Sequence, residues 1–310
     1  MIVALVLQGI AHGSLERNSF GLICLRVALL AGGYLLVAVW LWLVLRAGLK
    51  RDEKWKDLAR RLGQQASDAV CFALVLNLTL YIKLLVPLVR TISYDRVYET
   101  IDRAWFSWLD PLIIWRGREL QYHWINDLYF TLFFGMFMAS FFFHSLRSRS
   151  EFRRVFLASL LVQGIGGVLY LAAPAVGPFL YHPSANLLMG GTERYFYTVR
   201  RDELVGGVRW LGANAGYYLD CGLAAMPSLH AAGSFVFLYY AWRYVRWLGV
   251  VYTPVFMWIL FAALASRWHY GIDLIAGLGV ACVSIALANR WTSAHEGAVR
   301  GRIEAAAAAV

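Results

Sequence analysis

Residues 248–291 decide the fold: they read LGVVYTPVFMWILFAALASRWHYGIDLIAGLGVACVSIALANRW. Two long apolar runs, nearly free of charge, flank a turn made of Arg267, Trp268, His269 and Tyr270. A helix needs about 20 predominantly apolar residues to cross the hydrocarbon core of a bilayer. The segment therefore predicts two membrane spans, residues 248–266 and 272–291, with the turn at one membrane surface.

The rest of the chain has the same character. Hydrophobic residues make up 60% of the 310 residues and charged residues 15%, and the mean hydropathy is +0.56. A soluble domain of this size is less apolar. Five further spans are predicted at residues 22–45, 69–89, 125–144, 156–173 and 229–246. The predicted fold class is all-α, a polytopic transmembrane helix bundle of about six to seven spans, and not a soluble enzyme.

The spans also suggest how the chain is divided. Residues 1–68 form an N-terminal segment that holds the first transmembrane helix and a basic cytoplasmic loop. Residues 69–291 form the membrane domain that carries the histidine motifs discussed below. Residues 292–310 form a cytoplasmic tail.

The charge distribution predicts how the bundle is oriented. The net charge is +10, but nucleic-acid binding would need a basic, aromatic-laced soluble face, and the sequence has none. Instead, Lys and Arg gather within residues 46–61, 147–154, 243–246 and 290–302, all on one side of a seven-span arrangement. The positive-inside rule makes that side cytoplasmic. We therefore expect a multi-pass protein of a plasma or inner membrane whose 267–270 turn and residue 228 face the extracytoplasmic side.

His269 and Asp273 are the first candidate site residues. Residues four apart share a helix face, so the carboxylate can accept the imidazole Nδ1–H and leave Nε2 as a nucleophile. A purely structural His–Asp pair is the alternative, and the pair alone fits both. Ionisable groups in membrane spans are costly, which favours a functional interpretation.

His230 is the second candidate, in Pro227-Ser228-Leu229-His230-Ala231. Ser228 suits the N-cap of a helix, helix N-termini attract phosphate oxygens, and a histidine there can protonate a leaving oxygen. A capped helix that carries a histidine by chance is the alternative. Because both histidines are expected at one membrane face, we predict that they pass a phosphoryl group between them.

The sequence also contains residues that could bind a metal ion or the oxygens of a phosphate. His230, His269 and Asp273 have the composition of a two-histidine, one-carboxylate site, but an Asp one turn after its His is better placed to orient it. We therefore expect no metal and no cofactor. Ser228 and Arg267 are candidate phosphate ligands. Lys83 and Arg90, seven residues apart on one helix face, are further candidates, although Lys83 equally fits a snorkelling side chain.

The two histidine strings resemble the second and third signature motifs of the type 2 phosphatidic acid phosphatase superfamily, and the inositol phosphorylceramide synthase-like branch most closely. Tyr170 followed by residues 174–178, and Tyr94-Asp95 leading to Ile101-Asp102, are similar to segments of that branch. The resemblance spans residues 69–291. It implies a phosphatase/haloperoxidase-like helical core without a metal, phosphorylation of His269, orientation of that histidine by Asp273, and leaving-group protonation by His230.

The chain departs from the superfamily pattern in three places. Leu229 stands where glycine usually precedes the histidine, Arg267 lies two rather than six residues before His269, and Thr91 replaces a proline after Arg90. These departures favour the transferase branch. The predicted function is therefore phosphoryl transfer on a lipid phosphoester by a lipid headgroup phosphotransferase. A phosphatase acting on phosphatidate or a polyprenyl pyrophosphate, and a non-catalytic lipid-binding membrane protein, are the alternatives.

Overall fold

The structure is a computed structural model that describes residues 17–49, 55–90, 92–111, 124–182, 191–221 and 224–308. Within these ranges the regular secondary structure is entirely helical, which confirms the all-α prediction. Two 3₁₀ turns, Ser107–Leu109 and Leu219–Cys221, accompany the α-helices. The α-helices are α1 Arg17–Leu49, α2 Trp55–Val89, α3 Asp95–Trp105, α4 Trp124–Arg147, α5 Arg149–Ala172, α6 Pro178–Tyr181, α7 Gly191–Tyr218, α8 Leu229–Tyr244, α9 Arg246–Ala265 and α10 Gly271–Ala308.

Six of the described helices contain a stretch long and apolar enough to cross a membrane. Each overlaps one predicted span, so the sequence located these six correctly, and the protein is an integral, multi-pass membrane protein. The stretches are Ser19–Val37, Gly63–Val89, Leu128–Arg147, Arg149–Ala172, Arg246–Ala265 and Gly271–Arg302.

The predicted span at residues 229–246 is the exception. Its helix, α8, has only 16 residues, which is about 24 Å at 1.5 Å per residue and shorter than a hydrocarbon core of about 30 Å. The helix ends because Val245 leaves the helical conformation, with φ −141° and ψ 74°, and α9 begins at once with Arg246. Most of α8 is buried by protein, so its hydrophobicity reflects a core position.

The chain divides into two compact units. The first comprises Met1–Asp95 and Gly167–Ala224, and here α1, α2 and α7 pack together around a core of Tyr81, Leu84, Leu211, Ala215 and Leu219. Helix α7 kinks where Gly207 adopts φ 56° and ψ −145°, a conformation open essentially only to glycine.

Asp95 organises the loop after α5 in this first unit. Its fully buried carboxylate accepts hydrogen bonds from the backbone amides of Val176 and Gly177, each at 2.9 Å. The neighbouring Tyr94 amide donates to the Pro174 carbonyl at 2.8 Å. Helix α5 ends at Ala172, as the prolines at 174 and 178 predicted, because proline cannot continue a helix.

The second unit comprises Arg96–Gly166 and Ala225–Val310. Helix α8 lies at its centre and packs against α4, α9 and α10. Helix α10 continues without a break to Ala308, beyond the predicted start of the tail at residue 292. Near its far end, the Glu296 carboxylate pairs with the Arg154 guanidinium of α5 at 2.9 Å. Both histidine motifs lie in this unit.

Candidate active site

His269 lies in the tight turn between α9 and α10. The amides of Trp268 and His269 donate to the Ala263 carbonyl, at 3.0 and 3.3 Å, and the Arg267 amide donates to Leu264 at 2.9 Å. These bonds satisfy carbonyls that the end of α9 leaves open. The prediction that His269 and Asp273 share a helix face is therefore wrong. The backbone of His269 caps α9, and α10 begins only at Gly271.

The two side chains nevertheless lie close together. Nδ1 of His269 is 3.4 Å from Oδ2 of Asp273, a distance of an ion pair and longer than a typical hydrogen bond. The same oxygen accepts the Tyr270 amide at 2.8 Å. Asp273 is fully buried and His269 is 8% exposed. The carboxylate thus fixes the turn and faces Nδ1 of His269, and Nε2 is the ring nitrogen that does not face Asp273.

His230 lies in the first turn of α8. Ser228 is the N-cap, as predicted, with its hydroxyl oxygen accepting the Ala231 amide at 3.4 Å. Three aromatic rings of α4 surround the His230 imidazole at centroid distances of 5.0 Å (Tyr129), 5.8 Å (Phe130) and 4.6 Å (Phe133). These three residues could not be predicted from the sequence, because nothing local indicates which span packs on the motif.

Backbone contacts join the two histidine motifs. The Ser228 amide donates to the Asp273 carbonyl at 3.0 Å. Gly277 lies in the second turn of α10, and a Cβ on it would overlap the Ser228 carbonyl oxygen. The absence of a side chain at this position therefore allows α10 to approach the start of α8. The ring of Phe130 lies 5.8 Å from that of His230 and 6.2 Å from that of Trp268. The structure therefore brings the two motifs together in one unit.

Gly166 accounts for the unusual Leu229. A Cβ on Gly166 of α5 would collide with the Leu229 side chain. The glycine therefore provides the space that the Leu229 side chain needs. The larger residue in the motif is matched by a small one on the helix that faces it.

The candidate phosphate ligands fall into different environments. Ser228 is fully buried and caps α8, and phosphate contact by its hydroxyl stays a prediction. Arg267 lies next to His269 with a positive φ of 58°. Burial lowers the pKa of its guanidinium, while Tyr270 and Glu99 act in the opposite direction. The group stays a cation, because arginine does not deprotonate in proteins.

Lys83 and Arg90 belong to the first unit. The Lys83 ammonium lies 5.0 Å from the centroid of the Tyr170 ring, a cation–π distance. Arg90 is exposed and lies just beyond the last residue of α2. Phosphate binding by either residue stays a prediction.

Asp102 is a further residue of the site region, for which the sequence alone predicts no role. Its carboxylate accepts the backbone amides of Gly271 at 2.7 Å and Ile272 at 3.2 Å. The available signal was the strong amphipathicity of α3, in which Tyr98 and Asp102 share one face. Among the described residues, no group of three or more His, Cys, Asp and Glu side chains is arranged to hold a metal ion.

Comparison with known proteins gives one result. A family model for the PAP2 superfamily matches residues 97–287, which is more than half of the chain and includes both histidine motifs and most of α3. Searches of curated proteins and of solved structures found no match. The extent of the family match, together with the two histidine motifs that it includes, shows that the chain belongs to the PAP2 superfamily.

Proposed function

We propose that this protein transfers a phosphoryl group from a membrane lipid phosphoester through a covalent phosphohistidine at His269. Membership of the PAP2 superfamily supports phosphoryl-transfer or phosphatase-type activity on a lipid. The observation that carries the proposal is the bond from the Ser228 amide to the Asp273 carbonyl. It ties the helix start that bears His230 to the residue that faces His269.

In the first step, Nε2 of His269 attacks the phosphorus atom. The N–P bond forms, the bond from phosphorus to the leaving oxygen breaks, and His230 donates its proton to that oxygen. Positive charge develops on the His269 ring during the attack. The Asp273 carboxylate, 3.4 Å from Nδ1, stabilises that charge and holds the ring in orientation, as the acid of a catalytic triad does.

In the second step, an acceptor hydroxyl attacks the phosphohistidine. His230, now neutral, takes the hydroxyl proton as the new P–O bond forms, and the N–P bond breaks to return the electron pair to Nε2. His269 regains its starting state and His230 its proton. The aromatic rings of Tyr129, Phe130 and Phe133 pack around the His230 imidazole and limit its rotation during both proposed steps.

We propose a lipid alcohol rather than water as the acceptor, which makes the protein a lipid headgroup phosphotransferase similar to the inositol phosphorylceramide synthases. His269, Trp268 and Tyr270 are 8%, 9% and 3% exposed. A site closed in this way limits the access of water to a reactive intermediate. The resemblance of the two motifs to the transferase branch supports the same choice. Hydrolysis of the lipid phosphate is the other outcome that the assay below distinguishes.

We place the site at the extracytoplasmic side of the membrane. His230 is at the N-terminal end of α8 and Arg243 is near its C-terminal end, so the basic residues and the histidine lie at opposite ends of one helix. Helix α9 has the same arrangement, with Arg246 at its first residue and His269 beyond its last. Because basic residues mark the cytoplasmic side and α9 is long and apolar enough to cross the membrane, the end of α9 that leads to His269 faces outward.

Arg267 is the proposed phosphate ligand nearest to the nucleophile. It is a permanent cation two residues before His269, and charge-assisted bonds to phosphoryl oxygens stabilise the transition state. Lys83 and Arg90 are retained as proposed secondary ligands on the basis of their spacing alone.

The test uses purified full-length protein in detergent micelles with lipid donors carrying ³²P, phosphatidate and phosphatidylinositol, in the presence of ceramide or diacylglycerol. We expect acid-labile, base-stable label on the protein and transfer of the label to ceramide, as ceramide phosphate from phosphatidate and as a phosphodiester lipid from phosphatidylinositol, in excess of water-soluble label. His269→Ala abolishes both, whereas His295→Ala, the same change at an exposed histidine, leaves both intact. Full turnover by His269→Ala would refute the mechanism, and release of inorganic phosphate alone would identify a phosphatase.

A further inference from the structure

We infer that Asp102 is a positioning residue for His269: its carboxylate caps the first turn of α10 and so fixes the turn that carries the nucleophile. The inference rests on the proposed function, and deepens it, because it assigns a role to a residue that does not touch the substrate. Its basis is the pair of bonds from the amides of Gly271 and Ile272 to the two carboxylate oxygens of Asp102.

The first turn of α10 needs acceptors from elsewhere. A helix leaves its first four amides without partners inside the helix, and the position before Gly271 is Tyr270, whose side chain is not of an N-capping type. Asp273 accepts the Tyr270 amide, and Asp102 accepts the next two. Two carboxylates therefore satisfy three consecutive amides, and their negative charge suits the positive end of the helix dipole.

Asp102 reaches this position because one side of the α3 segment covers the turn. Tyr98, Asp102 and Phe106 follow one another at intervals of four residues. The Tyr98 ring lies 6.2 Å from the Tyr270 ring, and a Cβ on Gly271 would lie 2.8 Å from Cγ of Phe106. The Asp102 carboxylate is thus flanked by two aromatic residues, Tyr98 and Phe106, that contact residues 270 and 271.

Keeping a carboxylate here has a cost. Burial raises the pKa of Asp102, the negative charges of Asp273 and Asp110 raise it further, and the two amide bonds lower it. The role of a charged acceptor at position 102 is to hold the start of α10, which lies two residues after His269, in place.

Loss of this cap should affect the chemical step more than substrate binding. A displacement of about 1 Å in a reacting group can reduce a rate about 100-fold. We expect Asp102→Ala to reduce kcat by about 10- to 100-fold while KM changes by less than about threefold. Asp102→Asn keeps one acceptor oxygen, and we expect it to recover most of this loss.

The experiment uses full-length wild type, Asp102→Ala and Asp102→Asn in lipid nanodiscs. Asp110→Asn is the matched control, since Asp110 is exposed near the end of the same segment and accepts neither amide. Three quantities are measured: kcat and KM for ³²P-phosphatidate, the rate of label incorporation into the protein, and hydrogen exchange of the amides at residues 270–272. Asp102→Ala should lower kcat and the labelling rate and should increase exchange at 271 and 272, with Asp102→Asn in between.

Wild-type kcat in Asp102→Ala together with increased exchange at 271 and 272 would overturn the positioning role, and unchanged exchange would overturn the cap itself. If Asp102→Ala does not fold, the smaller fall in kcat and smaller rise in exchange expected for Asp102→Asn decide the question, and wild-type kcat with increased exchange in Asp102→Asn overturns the positioning role. Failure of the proposed function looks different: wild type then forms no labelled histidine at all, whatever residue occupies position 102.

Discussion

The backbone amide of Ser228 donates a hydrogen bond to the backbone carbonyl of Asp273 over 3.0 Å. Ser228 caps the helix that carries His230, and Asp273 is the residue that faces Nδ1 of His269. One bond between main-chain atoms therefore sets the relative position of two motifs that lie far apart in the sequence. Because no side chain takes part, substitutions at either residue change it only indirectly.

Gly277 provides the most direct way to disturb this relationship. Its missing side chain leaves room for the Ser228 carbonyl, and a Cβ would overlap a backbone atom that has little freedom to move. We expect Gly277→Ala to lower the free energy of unfolding by about 1–3 kcal/mol, as overpacking does, and to reduce kcat at least about tenfold.

Gly279→Ala is the matched control for that change. Nothing lies within 4 Å of a Cβ at position 279, and alanine is favoured over glycine inside a helix by up to about 1 kcal/mol. Stability should stay equal or rise, and activity should not change. Equal activity of the two variants would show that the spacing of the motifs does not matter.

The backbone and side chain of Arg267 can be tested separately. Its φ of 58° is a conformation that glycine adopts without strain at helix ends. Arg267→Gly should therefore keep or raise stability, by up to about 1 kcal/mol. If the guanidinium neutralises a phosphoryl oxygen, kcat/KM should fall at least about 100-fold.

Arg267→Lys is the companion variant, because it keeps the charge but loses the planar fork of donors. We expect partial activity with lower stability than Arg267→Gly. Unfolding curves and steady-state kinetics on the three proteins make the comparison. Full activity in Arg267→Gly would remove this residue from the phosphate site.

The Gly166–Leu229 contact predicts a strongly non-additive pair. Gly166→Ala alone collides with Leu229 and should reduce the free energy of unfolding by about 1–3 kcal/mol. In combination with Leu229→Ala, the collision is gone. A double-mutant cycle should then give a coupling energy of about 0.5–3 kcal/mol. Gly164→Ala, where nothing lies within 4 Å, is the control, and additive effects at 166 and 229 would contradict the contact.

Asp102 predicts a pH dependence of stability with a defined sign. Its pKa in the folded protein is raised, mainly by burial, above the value of about 3.9 in an unfolded chain. The folded state therefore binds the proton more tightly, and stability falls as the pH rises from about 4 through the raised pKa. In the Asp102→Asn variant, residue 102 has no ionisable group and therefore does not contribute to this pH dependence.

The comparison is made by chemical unfolding between about pH 4 and pH 7. The difference in unfolding free energy, wild type minus Asp102→Asn, should decrease as the pH increases over that window. A constant difference would show that burial does not shift this carboxyl group.

The sequence predicts well what depends on neighbouring residues. The six spans follow from local hydropathy, and the cap at Ser228 follows from the residue types at a helix start. The position of His269 outside α10 does not, because it depends on which carbonyls of α9 the turn satisfies. The role of Asp102 could not be predicted from the sequence, because its partners Gly271 and Ile272 are 169 and 170 residues further along the chain. Likewise, only the packing of α4 shows which aromatic rings surround His230.

The 16-residue length of α8 has a consequence for which molecules can react. If Arg243 is held at the level of the lipid headgroups of one leaflet, a rod of about 24 Å ends about 6 Å short of the far edge of an apolar layer of about 30 Å. The imidazole at that end then lies deeper in the membrane than the phosphates of the opposite leaflet normally do. A lipid donor must therefore move its phosphate deeper into the membrane to reach the imidazole, and contacts of its acyl chains with the apolar layer offset the free-energy cost of that movement. Water-soluble phosphoesters have no such anchor, so they should be poor donors however well their phosphate fits.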